Sequence, residues 1–333
     1  MTSSQRRLAA LVIAPLLVVG LAACAGAEPE AMPTPSSTPT PTPTETIAAP
    51  TSPTSRVPAT CDELFSSSLI AGGELNEYGS SAVAQAGYLG CFFEGSFGGA
   101  LARLSVDVSV DPPVEEVQRL LGRAGDPESP GCDARYCRIL FFSGDYAVEI
   151  LVSDYPAGAA PLTPLVEAFT AEIEQRVSSW PTPAPLWQPP GDALRWEFDC
   201  AELIPRQDVV RDVVPFPVGD ARRAGGDLHY MSFWALAATG TTQCVWDDIG
   251  SGVSVEILPG GAWMHEAGIP LPGEPYSFAG ALAAARDAEN RPSTISAYID
   301  GSLVSVGVSP PEGSGIDGAA VAEAVLAAIV AAF

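Results

Sequence analysis

Cysteine is the residue type whose spacing says most about the chemistry of this chain. The 333 residues contain seven cysteines. The first, Cys24, ends the segment Leu-Ala-Ala-Cys, which follows two arginines and an apolar run from Leu8 to Leu21. This order is typical of a secretory signal, and the run is too short to span a membrane. The segment resembles a bacterial lipobox, so we predict a lipoprotein signal peptide over 1–23 and lipidation of Cys24 by acyl chains such as palmitate.

The other six cysteines fit three disulfide bonds, because an exported chain meets an oxidising compartment. Six cysteines allow many pairings, but an internal repeat narrows the choice. The sequence reads Thr-Cys-Asp-Glu-Leu at 60–64 and Asp-Cys-Ala-Glu-Leu at 199–203, and Gly87 and Gly240 each stand four residues before a later cysteine. The predicted pairs are Cys61 with Cys91, Cys200 with Cys244, and Cys132 with Cys137.

Composition and the repeat together predict the domain organisation. The segment between the lipidated cysteine and the first repeat alternates Pro with Thr and Ser, and it lacks the large apolar residues that would offset the entropy of ordering it. The predicted regions are the signal peptide (1–23), the lipidated cysteine with a disordered Pro/Thr/Ser tether (24–58), module one (59–178), a Pro-rich connector (179–194) and module two (195–333). Trp180 and Trp187 in the connector indicate that it packs against the modules.

Each module is predicted to have the order α-β-β-α-β-β-α, an antiparallel sheet with helices packed on it, and the fold class is α+β. Apolar and polar residues alternate over 104–110 and 253–257, which is typical of a half-buried antiparallel strand. Two hairpins are expected, each turning at a glycine, one of them at Asp300-Gly301. The predicted hairpins span 137–152 and 293–308; the middle helices span 111–125 and 276–290; the closing helices span 164–177 and 319–333.

Motifs for catalysis or cofactor binding are incomplete. Residues 313–318 satisfy G-x-G-x-x-G, but the second parallel strand that a dinucleotide site needs does not follow. We expect a loop there, with Asp317 capping the last helix. The chain has two histidines, His229 and His265, and Ile269 stands where an H-E-x-x-H motif needs its second histidine. The sequence therefore predicts no catalytic residue, no metal site and no cofactor.

The net charge of the chain limits the class of molecule that it can bind as a partner. The net charge is −24 at pH 7, and all 16 basic residues are arginines. A chain this acidic is repelled by nucleic acid and by anionic lipid head groups. We therefore expect no nucleic-acid partner.

Aromatic residues beside carboxylates supply the candidate ligand-binding residues. Trp234, Trp246 and Trp263 lie near acidic residues, an arrangement typical of sugar or peptide sites, and His229 lies close in sequence to Trp234. The alternative is that a tryptophan next to a disulfide belongs to the core. The apolar segment 229–234 is predicted to be an exposed patch.

The repeat pattern resembles a known group of domains. A cysteine before a short helix, then Cys-Phe-Phe at 91–93 or Cys-Val-Trp at 244–246, an alternating strand and a closing Ala/Val helix are similar to small lipoprotein domains of unknown function from actinobacterial cell envelopes. The resemblance covers 60–178 and 195–333 and implies an α+β fold of the PsbP/Mog1-like type in an extracytoplasmic location. It implies no activity. The chain departs from the pattern by its duplication and by the extra Cys132–Cys137 pair.

Two functions follow as hypotheses. The first is a membrane-anchored extracytoplasmic lipoprotein with a binding or accessory role in the cell envelope. Its partners would be the membrane, through the lipid on Cys24, and an envelope glycan, lipid or protein. The alternative is an envelope-directed hydrolase with a site between the modules, which requires His229 or His265 near an acid and a hydroxyl.

Replacing Cys24 by Ala tests the lipid anchor. Because each buried methylene of an acyl chain contributes about 0.8 kcal/mol to membrane binding, loss of the acylated residue should release the protein from the membrane. Detergent phase partitioning of cells producing the wild type and Cys24→Ala measures this. A Cys24→Ala protein that still partitions with the detergent phase would contradict the prediction.

Overall fold

Two antiparallel β-sheets with helices packed against them form the described part of this chain. The computed structural model describes residues 51–112, 131–191, 200, 207–223, 230–248, 250–287 and 292–332. None of the described helices is long and apolar enough to cross a membrane. The architecture confirms an α+β fold with two antiparallel sheets.

Sheet A comes from the first half of the chain and has six strands in the order β1-β2-β3-β6-β5-β4. Its strands are β1 (Ile70–Tyr78), β2 (Leu89–Phe97), β3 (Ala100–Val110), β4 (Gly131–Cys132), β5 (Cys137–Ser143) and β6 (Tyr146–Ser153). The helices of this half are α1 (Cys61–Leu64), α2 (Ser81–Ala86) and α3 (Leu162–Val177).

Sheet B comes from the second half and has seven strands in the order β10-β11-β12-β13-β9-β8-β7. Its strands are β7 (Arg222–Arg223), β8 (Thr242–Asp248), β9 (Ser251–Leu258), β10 (Glu274–Tyr276), β11 (Ala283–Asp287), β12 (Ser293–Ile299) and β13 (Ser302–Ser309). The helices are α4 (Gln207–Arg211), α5 (Tyr230–Thr239), α6 (Trp263–Glu266) and α7 (Gly318–Ala332).

The two sheets share one strand order. Read from β7, sheet B runs β7-β8-β9-β13-β12-β11, which matches β1-β2-β3-β6-β5-β4 of sheet A strand for strand, and β10 is added at the far edge. The registers agree as well, because Cys91 pairs with Val106 in sheet A and Cys244 pairs with Val255 in sheet B. Every residue of β8, β9, β12 and β13 therefore has an equivalent in β2, β3, β5 or β6, and the strands β2 and β3 are longer than their counterparts.

All three predicted disulfide bonds are present. Cys61–Cys91 and Cys200–Cys244 have Cα–Cα distances of 5.4 and 5.6 Å, within the usual range of about 4.4–6.8 Å. The Cα atoms of Cys132 and Cys137 are closer, at 4.0 Å, because the two residues are directly opposite each other in the β4–β5 pair.

Both hairpins and both closing helices are confirmed. Asp300 and Gly301 have φ angles of 45° and 74°, the left-handed values that a tight two-residue turn requires. Helix α3 buries apolar residues three and four positions apart, and α7 buries Val321, Val325 and Ile329 at four-residue spacing. Asp317 caps α7 as predicted, since its Oδ1 accepts hydrogen bonds from the backbone N–H groups of Ala319 and Ala320 at 3.0 and 3.2 Å.

The predicted middle helix at 276–290 is wrong. Residues 283–287 form strand β11, which pairs with β10 on one side and β12 on the other. The alanines of this segment favour a helix intrinsically, but pairing along both edges satisfies the backbone groups of β11 and overrides that preference. Gly280, with φ 84°, also interrupts the segment in a conformation that a helix does not contain. Most of the counterpart helix predicted at 111–125 lies outside the described residues.

The folded region begins inside the predicted tether. Arg56 is 7% exposed, and its guanidinium donates to the carbonyl oxygen of Ala184 at 2.7 Å and to a carboxylate oxygen of Asp111 at 2.5 Å. The boundary predicted at residue 58 therefore falls too late. The connector also packs, as expected: Trp187 is buried, and the ring of Trp180 lies 5.1 Å from that of Tyr146.

The polar side of strand β3 is not solvated, contrary to the prediction of a half-buried strand. Ser105, Asp107 and Ser109 are all buried on what we call the outer face of sheet A, opposite the apolar inner face. Helix α5 from the second half packs against β3 and against helix α2, and its residues share one hydrophobic cluster with the first half. The two sheets thus belong to a single compact unit, Ile47–Phe333.

A buried ion pair lies under this helix. The Glu149 carboxylate accepts a hydrogen bond from Arg138 Nε at 2.5 Å and another from the backbone N–H of Tyr230, the first residue of α5, at 2.8 Å. The Arg138 guanidinium also lies 4.9 Å from the centre of the Tyr230 ring. Side chains of sheet A therefore hold the N-terminus of a helix that belongs to the other half.

Replacing Glu149 by Gln removes the charge that Arg138 pairs with. Breaking a buried ion pair from one side leaves the other charge without that partner, so we expect the free energy of unfolding to fall by about 3–5 kcal/mol in urea denaturation. As a control, Glu94→Gln breaks the exposed pair with Arg103 and should cost less than about 1 kcal/mol. Equal losses in the two variants would contradict a structural role for the buried pair.

Candidate binding site

A cavity of about 390 Å³ opens on the outer face of sheet A; we call it cavity one. It lies over the stretch of β3 that contains Arg103 and Ser105, and its other walls come from β1, β2 and β6. The residues that line it are Asn76, Tyr78, Phe92, Arg103, Leu104, Ser105, Leu151 and Ser153.

A second cavity, of about 490 Å³, opens on the outer face of sheet B; we call it cavity two. It lies over the start of β9 and the end of β13, beside the β8–β9 turn. The residues that line it are Arg222, Val245, Asp247, Gly250, Ser251, Gly252, Val253, Ser254, Pro292, Gly307 and Ser309.

The two cavities occupy equivalent positions in the two sheets. Ser105 pairs with Phe92 on one side and Leu151 on the other, whereas Ser254 pairs with Val245 and Gly307. The same registers make four further pairs of lining residues equivalent: Asn76 and Arg222, Arg103 and Gly252, Leu104 and Val253, and Ser153 and Ser309. Every lining residue of cavity one except Tyr78 thus has a described equivalent in the lining of cavity two.

Each cavity has an arginine–carboxylate pair at its rim. Glu94 and Asp247 are equivalent positions on β2 and β8. Glu94 binds Arg103 at 3.2 Å, from β3 on one side. Asp247 instead binds Arg222 from β7 on the other side, through Nε at 3.0 Å and Nη2 at 2.5 Å. The carboxylate therefore lies at the same position in both sheets. The guanidinium comes from the strand on one side of it in sheet A and from the strand on the other side in sheet B.

The Arg222–Asp247 pair is bidentate and partly solvated. Hydrogen bonds from Arg222 hold the pKa of the Asp247 carboxyl below its ordinary value, and the same bonds raise the pKa of the guanidinium. Both groups stay charged at neutral pH, so the pair as a whole is electrically neutral and keeps hydrogen-bonding groups on its surface.

Glycines form the floor of cavity two where cavity one has side chains. Gly252 and Gly307 replace Arg103 and Leu151 at the equivalent positions. A Cβ atom on Gly307 would lie 2.7 Å from Ser254 Oγ, so even a methyl group would enter the cavity. The missing side chains explain why cavity two is larger.

An acidic residue lies beside each cavity, two residues along the third strand from the central serine. In sheet A the Tyr78 hydroxyl donates to Asp107 Oδ1 at 2.5 Å, and burial together with the Asp107 charge raises the pKa of Tyr78, which therefore stays a neutral donor. The equivalent of Asp107 in sheet B is Glu256, which accepts a hydrogen bond from Gln243 at 3.2 Å. Burial raises the pKa of Glu256.

The tryptophans singled out in the sequence are not among the described residues that line the two cavities. Trp234 is 3% exposed in helix α5, and its ring is 6.1 Å from that of Phe142. Trp246 is buried in the core of sheet B, and Trp263 is half-buried, with its Nε1 donating to Gln85 Oε1 of helix α2 at 3.0 Å. His229 lies outside the described residues. A ligand-binding role for these four residues stays a prediction.

The exposed apolar patch predicted at 229–234 is wrong where the structure describes it. Met231 and Phe233 are buried, because helix α5 packs against sheet A and helix α2. The segment is apolar because it joins the two halves.

His265 and Asp247 lie on different elements of the described part of the chain, helix α6 and strand β8. His265 is exposed in helix α6, and its ring lies 5.6 Å from that of Tyr298. Asp247 is held by Arg222. Among the residues that the structure describes, no three His, Cys, Asp or Glu side chains are grouped so that they could hold a metal ion.

Sequence reasoning missed the cavities. Arg222, Ser254, Gly307 and Ser309 have no motif around them. The available signal was the alignment of Cys91 with Cys244, which fixes the equivalent strand positions once the hairpins are paired. This alignment indicates which strand residues are equivalent in the two sheets. It does not indicate that one end of the outer face of each sheet stays uncovered and forms a cavity.

Comparisons with known proteins supply no relative from which a function could be transferred. The chain matched no protein-family model, no curated protein and no solved structure. The functional interpretation therefore rests on the geometry and charge of the two cavities.

The titration of Asp247 tests the geometry of the rim. Because Arg222 lowers the pKa of Asp247, Arg222→Gln should raise it towards the value of a solvated aspartate, about 3.9. The side-chain carboxyl ¹³C shift, followed by NMR while the pH is lowered, reports the midpoint. With a lowered folded-state pKa, the pair stabilises the fold above the unfolded-state pKa, and this contribution is lost as the pH falls through the folded-state value.

The control for this titration is Arg211→Gln, which breaks the exposed Arg211–Asp220 pair in the same half. It should leave the midpoint of Asp247 unchanged. A midpoint that does not move in Arg222→Gln would show that the pair does not form in solution.

Proposed function

We propose that this protein is a lipid-anchored binding protein of the cell envelope with an accessory, non-enzymatic role. The lipid on Cys24 holds it at the extracytoplasmic face of the cell membrane, and the two cavities receive an envelope ligand. We also propose that the chain is related to the actinobacterial envelope lipoproteins that it resembles, and that each half has a fold of the PsbP/Mog1-like type.

The occurrence of two cavities at equivalent positions is the observation that carries the proposal. Helix α5 covers one end of the outer face of sheet A, yet the same lining positions stay open in both sheets. Packing defects that arose independently in two sheets would have no reason to coincide residue for residue. A binding site that was present before the duplication accounts for the coincidence.

The placement of the lining residues supports binding. Most of them lie on paired strands, whose backbones hold them in fixed positions, and rigid elements position binding groups more accurately than loops do. Serine hydroxyls and arginine–carboxylate pairs provide hydrogen-bond donors and acceptors, and Phe92 or Val245 provides an apolar wall.

The tether supports the location. Pro-rich sequences act as semi-rigid spacers, so the predicted tether would allow the cavities to reach ligands of the envelope.

A ligand screen on the full chain in detergent micelles tests the proposal. The probes are neutral oligosaccharides, charged oligosaccharides and phospholipids, and the readout is the midpoint of thermal unfolding. A ligand at about 100 times its Kd adds about 2.7 kcal/mol to the free energy of unfolding, so at least one class should raise the midpoint.

Cavity-blocking variants decide where that ligand binds. Gly307→Leu introduces into cavity two the residue that sheet A has at Leu151, and Ser153→Trp fills cavity one. The shift should become smaller in at least one of these variants and persist unchanged in Gly191→Ala, whose new methyl group meets no atom within 4 Å. No shift with any class, or a shift unchanged in both blocked variants, would contradict the proposal.

A further inference from the structure

We propose that cavity two binds a neutral, polyhydroxylated ligand, a saccharide unit, and that it is the stronger of the two sites. This inference rests on the proposed binding function and adds the chemical class of the ligand. It follows from the charge at the rim, the alternation of serine and glycine on the floor, and the apolar wall.

The rim favours a ligand without net charge. A guanidinium has five N–H donors and a carboxylate about four acceptor positions; the bidentate contact between Arg222 and Asp247 uses two of each. The side chains are 55% and 47% exposed, so part of each group faces solvent. Vicinal hydroxyl groups fit such a pair, because each hydroxyl can donate to the carboxylate and accept from the guanidinium.

Charged ligands fit the same rim less well. A cationic ligand would have to compete with Arg222 for the Asp247 carboxylate, and an anionic one would compete with Asp247 for Arg222. An anion would also approach a chain with a net charge of −24. A neutral hydroxylated ligand leaves the ion pair intact.

The floor has room and hydrogen-bonding groups for such a ligand. Two neighbouring cross-strand pairs, Ser254–Gly307 and Gly252–Ser309, each set a hydroxyl beside a position that has no side chain. The glycines let a sugar ring approach the backbone. A serine hydroxyl can donate and accept, and the Ser254 hydroxyl donates to the Gly307 carbonyl oxygen at 3.5 Å. Val245 and Pro292 add apolar surface for the C–H groups of a sugar ring.

Cavity one has equivalent lining positions, but larger side chains leave less space in it. Arg103 and Leu151 occupy the positions of the two floor glycines. Arg103 is held by both Glu94 and Asp154, at 3.2 and 3.0 Å, which adds a second carboxylate to that rim. We therefore expect weaker saccharide binding there.

Isothermal titration calorimetry of the full chain in detergent micelles tests the ligand class. The probes are maltotriose and the N-acetylglucosamine trimer, which are neutral, the cationic glucosamine trimer and the anionic galacturonate trimer. We expect a neutral trimer to bind at one dominant site, at least tenfold more tightly than either charged trimer.

Point variants assign that site. Gly307→Ala places a methyl group over the floor without straining the backbone, since its φ is not positive, and should weaken neutral-trimer binding at least tenfold. Asp247→Asn breaks the rim pair and should also weaken it, whereas Asp220→Asn, which breaks the exposed pair with Arg211 outside the cavity, and Gly191→Ala should not.

Three results would overturn the inference. If a charged trimer binds more tightly and Gly307→Ala abolishes this, the ligand class is wrong but the binding function stands. Neutral-trimer binding that is unaffected by Gly307→Ala would mean that cavity two is not the site. If no trimer binds and no class in the thermal screen shifts the midpoint, the proposed function fails together with the ligand class.

Discussion

The buried Glu149 carboxylate is a polar contact between the two halves of this protein, within the hydrophobic cluster that joins them. A charge removed from water must be paired and hydrogen-bonded, and Glu149 takes one partner from its own sheet, Arg138, and another from the other half, the N–H of Tyr230. That contact fixes the first turn of α5 over one end of the outer face of sheet A. The opposite end of the same face stays open and becomes cavity one.

The two halves of the internal repeat form the arginine–carboxylate pair at the cavity rim in two different ways. The carboxylate is on the second strand in both sheets, as Glu94 and Asp247. In sheet A the arginine comes from the third strand and extends over the floor, whereas in sheet B it comes from the first strand. Moving the arginine keeps the ion pair and leaves Gly252 at the vacated position. The larger cavity is thus a consequence of where the arginine is placed, together with Gly307 at the position of Leu151.

Local patterns predicted most elements, and non-local contacts account for the errors. Period-two alternation, the Asp300-Gly301 turn and the apolar stripe of α7 depend on neighbouring residues, and each is confirmed. The segment 283–287 is a strand because β10 and β12 flank it, which its alanines do not reveal. Alternation also separated the two faces of β3 correctly. It could not show that a helix distant in sequence buries Asp107.

The cavities were beyond sequence reasoning for a related reason. A cavity on the face of a sheet forms where the elements that cover this face end, which a local sequence pattern does not show. In the sequence alone, Ser254 cannot be distinguished from any solvent-facing serine of a strand, because its partner Gly307 is not known. Charge reasoning alone would also mislead, because the acidic composition predicts attraction for cations, while the rim of cavity two is a neutral pair. The overall charge governs solubility and long-range attraction. For the ligand that we propose for cavity two, hydrogen-bond geometry would decide the selectivity, since the charges of Arg222 and Asp247 balance each other there.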